Sequence, residues 1–216
     1  MKKKLLSLVL AGAMVASTSV SAFAETTITK PDTQEPTTNI EITGEVYSDG
    51  NKAPAGTFKV TVPTATSFTV KADGTFVAPD AMTIVNNGTQ DIDVYADSFV
   101  DSTKGEGNGI TVMSEEAVKS KNRTFVSLKI SGVNTAYLKT ENNGATENGI
   151  YQDKGLTNNV EDGILLMNVE AGRDESLRLD GTAGNTNNEQ LPENVKTNGL
   201  TDRFTLTLKI KKSEKH

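Results

Sequence analysis

Over most of its length this chain sets apolar residues at every second position, a spacing that suits half-buried strands and cannot form the stripe of an amphipathic helix. The clearest case lies near the C-terminus, where Phe204, Leu206, Leu208 and Ile210 share one face and Thr205, Thr207 and Lys209 the other. Ile40, Ile42 and Val46 alternate with Glu41, Thr43 and Glu45. Phe58, Val60 and Val62 alternate with Lys59 and Thr61 until Pro63 ends the run, and Ile92 and Val94 alternate with Asp91, Asp93 and Tyr95. Shorter runs at Phe68 and Val70 and at Met82 and Ile84 are followed by Asp73-Gly74 and Asn87-Gly88, both strong turn pairs. Further strands are expected at 110–113, 124–131, 136–139, 164–169 and 176–180. Threonine is the commonest residue and Gly and Asn fill the gaps, which again favours strands and turns. Residues 114–121 are the one helical candidate, with Ser114 as N-cap and Glu115 and Glu116 in the first turn. The pattern predicts an all-β chain: a two-sheet antiparallel β-sandwich over 39–216, jelly-roll or Ig-like, with at most a short helix. The stretches 141–162 and 181–199, rich in Asn, Gly and acids, read as long surface hairpins.

Residues 1–24 stand apart from this pattern. Lys2, Lys3 and Lys4 precede an apolar run over 5–15, and Ala22-Phe23-Ala24 offers the small-x-small pattern that signal peptidase reads, so cleavage is expected between Ala24 and Glu25. That run is too short to span a bilayer comfortably, and no later stretch approaches the ~20 apolar residues a membrane helix needs. No membrane insertion is therefore expected after cleavage. Leu191-Pro192-Glu193-Asn194 matches only the start of a sortase signal, without the Thr-Gly and apolar tail that would complete it. The expected destination is extracellular: secreted, in the matrix or at the cell surface.

Loss of the three leader lysines takes the net charge from −6 to −9, which disfavours nucleic acid or an anionic bilayer as partner. With no Cys there is no disulfide, thiolate metal site or cysteine nucleophile, and the single histidine is the terminal His216. Phosphate loop, dinucleotide fingerprint, HExxH and nucleophile elbow are all missing from the sequence. The glycines at 105, 107 and 109 read as a flexible turn. Asp91 and Asp93 would share one strand face, where a calcium site or a glycosidase pair could start. The alternation with Ile92 and Val94 favours an ordinary solvated face. A lysine turned into the core beside Asn and a protonated acid could form an isopeptide crosslink, but the sequence places no such triad. No cofactor, metal or catalytic residue is expected, and the function class is structural or binding rather than enzymatic.

Residues 25–38 form a polar arm with prolines at 31 and 36 and Ile28 as its only large aliphatic residue. Such a segment does not order itself alone, and its prolines oppose a smooth return onto its own domain. Glu25 to Lys30 is nevertheless the length of a strand. The residues Thr26, Thr27, Ile28, Thr29 and Lys30 could add to the open edge of a neighbouring subunit, with Thr26, Ile28 and Lys30 on one face and Ile28 as anchor. Contacts of that kind run head to tail without closing and give filaments.

The run FKVTVPTATSFTVKADGTFVAPDAMTIVNNGTQDIDVYADSF, residues 58–99, resembles a module of secreted Firmicute surface proteins, with its VxVPT…F.V strand, DG…P turn, and I.NN segment leading to a V.V strand. With the leader and overall size, the chain resembles biofilm-matrix proteins of the TasA and clostridial BsaA kind. That resemblance implies export by a dedicated signal peptidase and assembly into surface fibres through an N-terminal donor segment. It also implies a minor matrix or anchoring protein as a further partner. Val62-Pro63-Thr64 and Asn86-Asn87 carry over as structural positions only. The related camelysin group has been described as proteolytic, but this sequence holds no protease signature. A monomeric adhesin or carbohydrate-binding sandwich is the alternative; the lack of Trp and the four Tyr count against sugar stacking.

Overall fold

The computed structural model describes residues 25–31, 37–39, 57–102, 109–140 and 147–214. The leader with Ala22 and Ala24, the spacer 32–36, the strand expected at 40–46, the glycine run at 104–108, residues 141–146 and His216 lie outside the described residues.

The strands are β1 (Glu25–Pro31), β2 (Thr37–Asn39), β3 (Thr57–Pro63), β4 (Thr69–Val70), β5 (Phe76–Val77), β6 (Met82–Asn86), β7 (Ile92–Asp101), β8 (Thr111–Val112), β9 (Phe125–Ser131), β10 (Thr135–Leu138), β11 (Ile150–Tyr151), β12 (Ile164–Val169), β13 (Asp174–Ala183) and β14 (Phe204–Lys212). Two short helices, α1 (Glu115–Val118) and α2 (Glu193–Asn198), and a 3-10 turn (Asn188–Gln190) complete the described elements. The chain is thus all-β, and every ladder is antiparallel except that of β8 with β9.

An eight-stranded sheet runs β1-β3-β6-β13-β9-β10-β11, with β8 beside β9; a four-stranded sheet runs β12-β7-β14-β2; β4 and β5 form a separate hairpin. Strand β13 gives its first half to β6 (Asp174↔Val85 to Leu177↔Met82) and its second half to β9 (Arg178↔Ser131 to Ala183↔Val126). The fold includes a sheet curled into a half-barrel, as the native twist of strands favours.

The alternation read from the sequence recurs in the burial pattern over much of the strands. Every second residue is buried in β6, in β9 and in β7 as far as Ala96, whereas at a register shift in β14 Thr207, expected on the outer face, is buried beside Leu208. The buried faces of both sheets feed one hydrophobic cluster. Val60, Ile84 and Ile130 enter it from the larger sheet, and Ile92, Leu166 and Leu208 from the smaller. Burying each such side chain stabilises the fold by roughly 1.5–3 kcal/mol. Ser114 caps α1 as expected, its Oγ accepting the Ala117 N–H at 3.3 Å. The Asp73-Gly74 pair closes the β4–β5 hairpin, with Gly74 at φ +84° and the Asp73 carboxylate accepting the Thr75 N–H at 2.9 Å.

Three expectations change. The stretch 181–199 is not a plain hairpin: it holds a 3-10 turn (Asn188–Gln190) and α2, anchored by buried Leu191 and Val195. Two apolar residues four apart among polar ones were enough to seat a helical turn. Within 141–162, β11 and the Tyr151↔Asn159 bridge attach the described part to β10. The third change concerns the arm. Glu25–Pro31 pairs with β3 of its own chain, because Pro31 stands at the end of the strand and leaves the preceding N–H groups able to join the ladder.

Candidate functional site

The first candidate is the edge that β1 occupies. Seven register pairs join it to β3, from Glu25↔Pro63 through Thr26↔Val62, Thr27↔Thr61, Ile28↔Val60, Thr29↔Lys59 and Lys30↔Phe58 to Pro31↔Thr57. On its other side β3 meets β6 at only two register pairs, Val60↔Asn86 and Thr61↔Val85. Phe58, Val60 and Val62 are buried and belong to the core, so β3 is a core strand whose ladder is mostly supplied by the N-terminal segment. Glu25, the residue after the expected cleavage, opens β1. Strand β2, beyond the spacer, pairs with β14 at the edge of the other sheet. The N-terminal segment therefore attaches to one edge of each sheet.

Asn86 fixes the ladder next to β3. Its side chain is fully buried, donating from Nδ2 to the Gln90 carbonyl at 2.8 Å and the Val169 carbonyl at 3.0 Å, while Oδ1 accepts the Gly88 N–H at 3.0 Å. Asn87 N–H bonds the Lys59 carbonyl at 2.7 Å, and its side-chain amide donates to Thr61 Oγ1 at 3.2 Å. The Asn86-Asn87 pair singled out by resemblance thus ties the β6–β7 turn to β3 and to the end of β12.

The carboxylates noticed in the sequence are dispersed on structural duties. Asp91 accepts the Ala171 N–H at 3.0 Å and Asp93 the Asn168 side-chain amide at 3.0 Å, while Asp97 pairs with Lys209 at 2.7 Å. Among the described residues no three His, Cys, Asp or Glu come together as metal ligands. The buried polar residues among those whose side chains are described are Asn86 and Thr207.

Tyr151 closes the β10–β11 edge. Its ring is buried and its hydroxyl donates to the Glu147 carboxylate at 2.6 Å; burial first, and then this bond, raise its pKa well above the ordinary value. The folded state holds the proton that the unfolded chain loses near pH 10, so this contribution is full below about pH 10 and is lost as pH rises further. Tyr151→Phe is expected to cost about 1 kcal/mol at pH 7. It should also flatten the fall of the urea midpoint above about pH 10; an alkaline fall as steep as that of the parent would remove this assignment.

The second candidate is a cleft of about 630 Å³, which sequence reading missed. Phe68, Phe204 and Phe99 line it as a ladder of near-parallel rings, with centroids 6.2 and 5.5 Å apart, and Phe76 extends the stack behind Phe68 at 5.3 Å. Leu128, Ile130 and Leu138 supply part of its floor. Period two identified these residues as inward-facing but carried no information on whether the space they face is filled. Among the described residues no helix is long and apolar enough to cross a membrane. No family model, curated protein or solved structure matches this chain.

Proposed function

We propose that this chain is a secreted structural subunit which polymerises into extracellular fibres of a biofilm matrix by exchanging β1 between copies. The observation that carries the reading is the placement of the N-terminal segment as an edge strand paired along the whole of β3. The same seven register pairs form whichever copy supplies the strand, so exchange sacrifices no ladder. Only residues 32–36, with Pro36 among them, separate β1 from β2, and a short hinge is the usual route to swapping. Each subunit would give its β1 to one neighbour and receive another's, a heterologous contact that extends into a filament.

In this reading the eight- and four-stranded sheets are the two layers of a β-sandwich, of jelly-roll or Ig-like kind, since both feed one core cluster. The leader sends the chain out of the cell, signal peptidase exposes Glu25, and the role is non-enzymatic. Partners are further copies of the chain and a minor matrix or anchoring protein; nucleic acid and membrane are not among them.

The test compares mature chain 25–216 with a truncation starting at Thr37, which keeps β2 and loses β1. Negative-stain microscopy and sedimentation are expected to show filaments from the longer chain alone. Filaments from both would move the interface elsewhere. Monomers from both, with glycan affinity retained, would favour the adhesin alternative.

A further inference from the structure

The cleft beside β14 has the features of a ligand site rather than a packing fault. Its volume falls within the roughly 300–1,000 Å³ of small-molecule pockets, and its walls are predominantly apolar with a few polar groups. Two of those groups are unusual. Thr64 Oγ1 and Thr66 Oγ1 are buried and have no hydrogen-bond partner, and both residues line the cleft. A buried hydroxyl left unpaired costs about 1–3 kcal/mol; neither oxygen is exposed to the cleft, so an acceptor from outside reaches them only once the Thr64 and Thr66 side chains rotate toward it.

Among the described residues, the charged ones lining the cleft are Arg123, Lys196, Arg203 and Asp202. Lys196 pairs with Glu193 at 3.5 Å. Asp202 is held by the chain, its Oδ2 accepting the Ile110 N–H at 2.6 Å and its Oδ1 the Arg203 N–H at 2.8 Å. Neither guanidinium has a carboxylate partner among the described residues. Two arginines on the lining of an apolar cleft, in a chain of net charge −6, form a local exception to the surrounding field.

We propose that this cleft binds a small anionic amphiphile, a carboxylate carrying one alkyl or aryl tail. The tail lies along the phenylalanine ladder and the aliphatic floor, and the headgroup accepts hydrogen bonds from the two threonine hydroxyls and the guanidiniums of Arg123 and Arg203. The apolar lining does not suit a sugar, whose hydroxyls each need a polar partner. None of the residues invoked here belongs to β1, so the variants that test this assignment leave the exchanged strand unchanged.

Calorimetric titration of the mature chain with decanoate, decan-1-ol and decyltrimethylammonium tests it. Decanoate is expected to bind saturably at one site and at least ten-fold tighter than either of the others. Arg123→Gln with Arg203→Gln should erase that preference, and Leu200→Trp, which fills the cleft, should abolish binding of all three. Thr66→Val should weaken decanoate several-fold while raising the melting temperature, the opposite of what loss of a structural hydroxyl does. Since Arg203 is exposed, Arg203→Gln alone keeps the test open should the double variant not fold. Equal affinity for the three probes, absence of saturable binding because the chain's own residues fill the space, or binding to phosphatidylglycerol vesicles in place of free decanoate would each overturn the proposal.

Discussion

Replacing Gly149 with valine is expected to destabilise the chain by roughly 4 kcal/mol or more, enough to unfold most of a marginally stable domain. Gly149 has φ +77°, and a Cβ there would stand 2.2 Å from the Phe99 carbonyl oxygen and 2.7 Å from that of Lys139. Both obstacles are backbone, one in β7 of the smaller sheet and one just past β10 of the larger, so neither can swing aside. The same point also bonds the sheets together. Phe99 N–H donates to the Asn148 carbonyl at 2.7 Å and Lys139 N–H to the Gly149 carbonyl at 3.1 Å. The Asn148 side-chain amide reaches the Asp97 and Val160 carbonyls at 2.7 and 2.9 Å. Gly172 provides the control: its φ is +73° but nothing lies within 4 Å of a Cβ placed there. Gly172→Ala should therefore cost only the left-handed strain, about 1–2 kcal/mol. Urea midpoints that fall equally for Gly149→Ala and Gly172→Ala would show that the close approach contributes nothing.

Asn86→Leu is expected to cost roughly 3–5 kcal/mol, since it strands the Gln90 and Val169 carbonyls and the Gly88 N–H in a buried site. Asn86→Asp keeps an acceptor for the Gly88 N–H but sets a carboxylate oxygen against the Gln90 and Val169 carbonyls at a fully buried position, so at pH 7 it should cost at least as much as leucine. Because Asn86 is also the register partner of Val60, the loss should loosen β3 as well. Hydrogen exchange is expected to rise at Val60 and Thr61 before it rises in β9. Uniform exchange across both strands would separate Asn86 from the support of the β1 edge.

Much of this architecture was legible from spacing alone. β12 matches its expected bounds, and β3, β6, β9 and β14 fall within a residue or two of theirs. β6 and β9 bury alternate side chains throughout, whereas β12 and β14 each carry an adjacent buried pair, Leu166-Met167 and Thr207-Leu208, at a register shift that no local pattern announces. Short elements were harder to read. β5 and β11 hold two residues each, too few to display a period, and α2 rests on two apolar residues in a polar stretch. Strand order was not readable, since β13 divides its length between β6 and β9 by a stagger that no local pattern encodes. The arm was readable as a strand from Glu25 to Lys30, but its partner was not: polarity and prolines describe the segment, whereas the unfilled edge that receives it belongs to β3. The cleft stayed invisible for a related reason. Phe68, Phe99 and Phe204 look like core in any strand pattern, and only three dimensions show the space between them and the unpaired Thr64 and Thr66.

Strand exchange makes one prediction that a closed monomer cannot share. In a chain with no native cysteine, Thr29→Cys with Lys59→Cys introduces one directly opposed pair across β1 and β3. Oxidising monomers before assembly should close the bridge within each chain and block fibres until reductant is added. Oxidising after assembly should join neighbours and give a ladder of covalent multimers on a non-reducing denaturing gel. Fibres built from internally bridged monomers, or fibres that oxidise only to bridged monomers, would contradict exchange of β1.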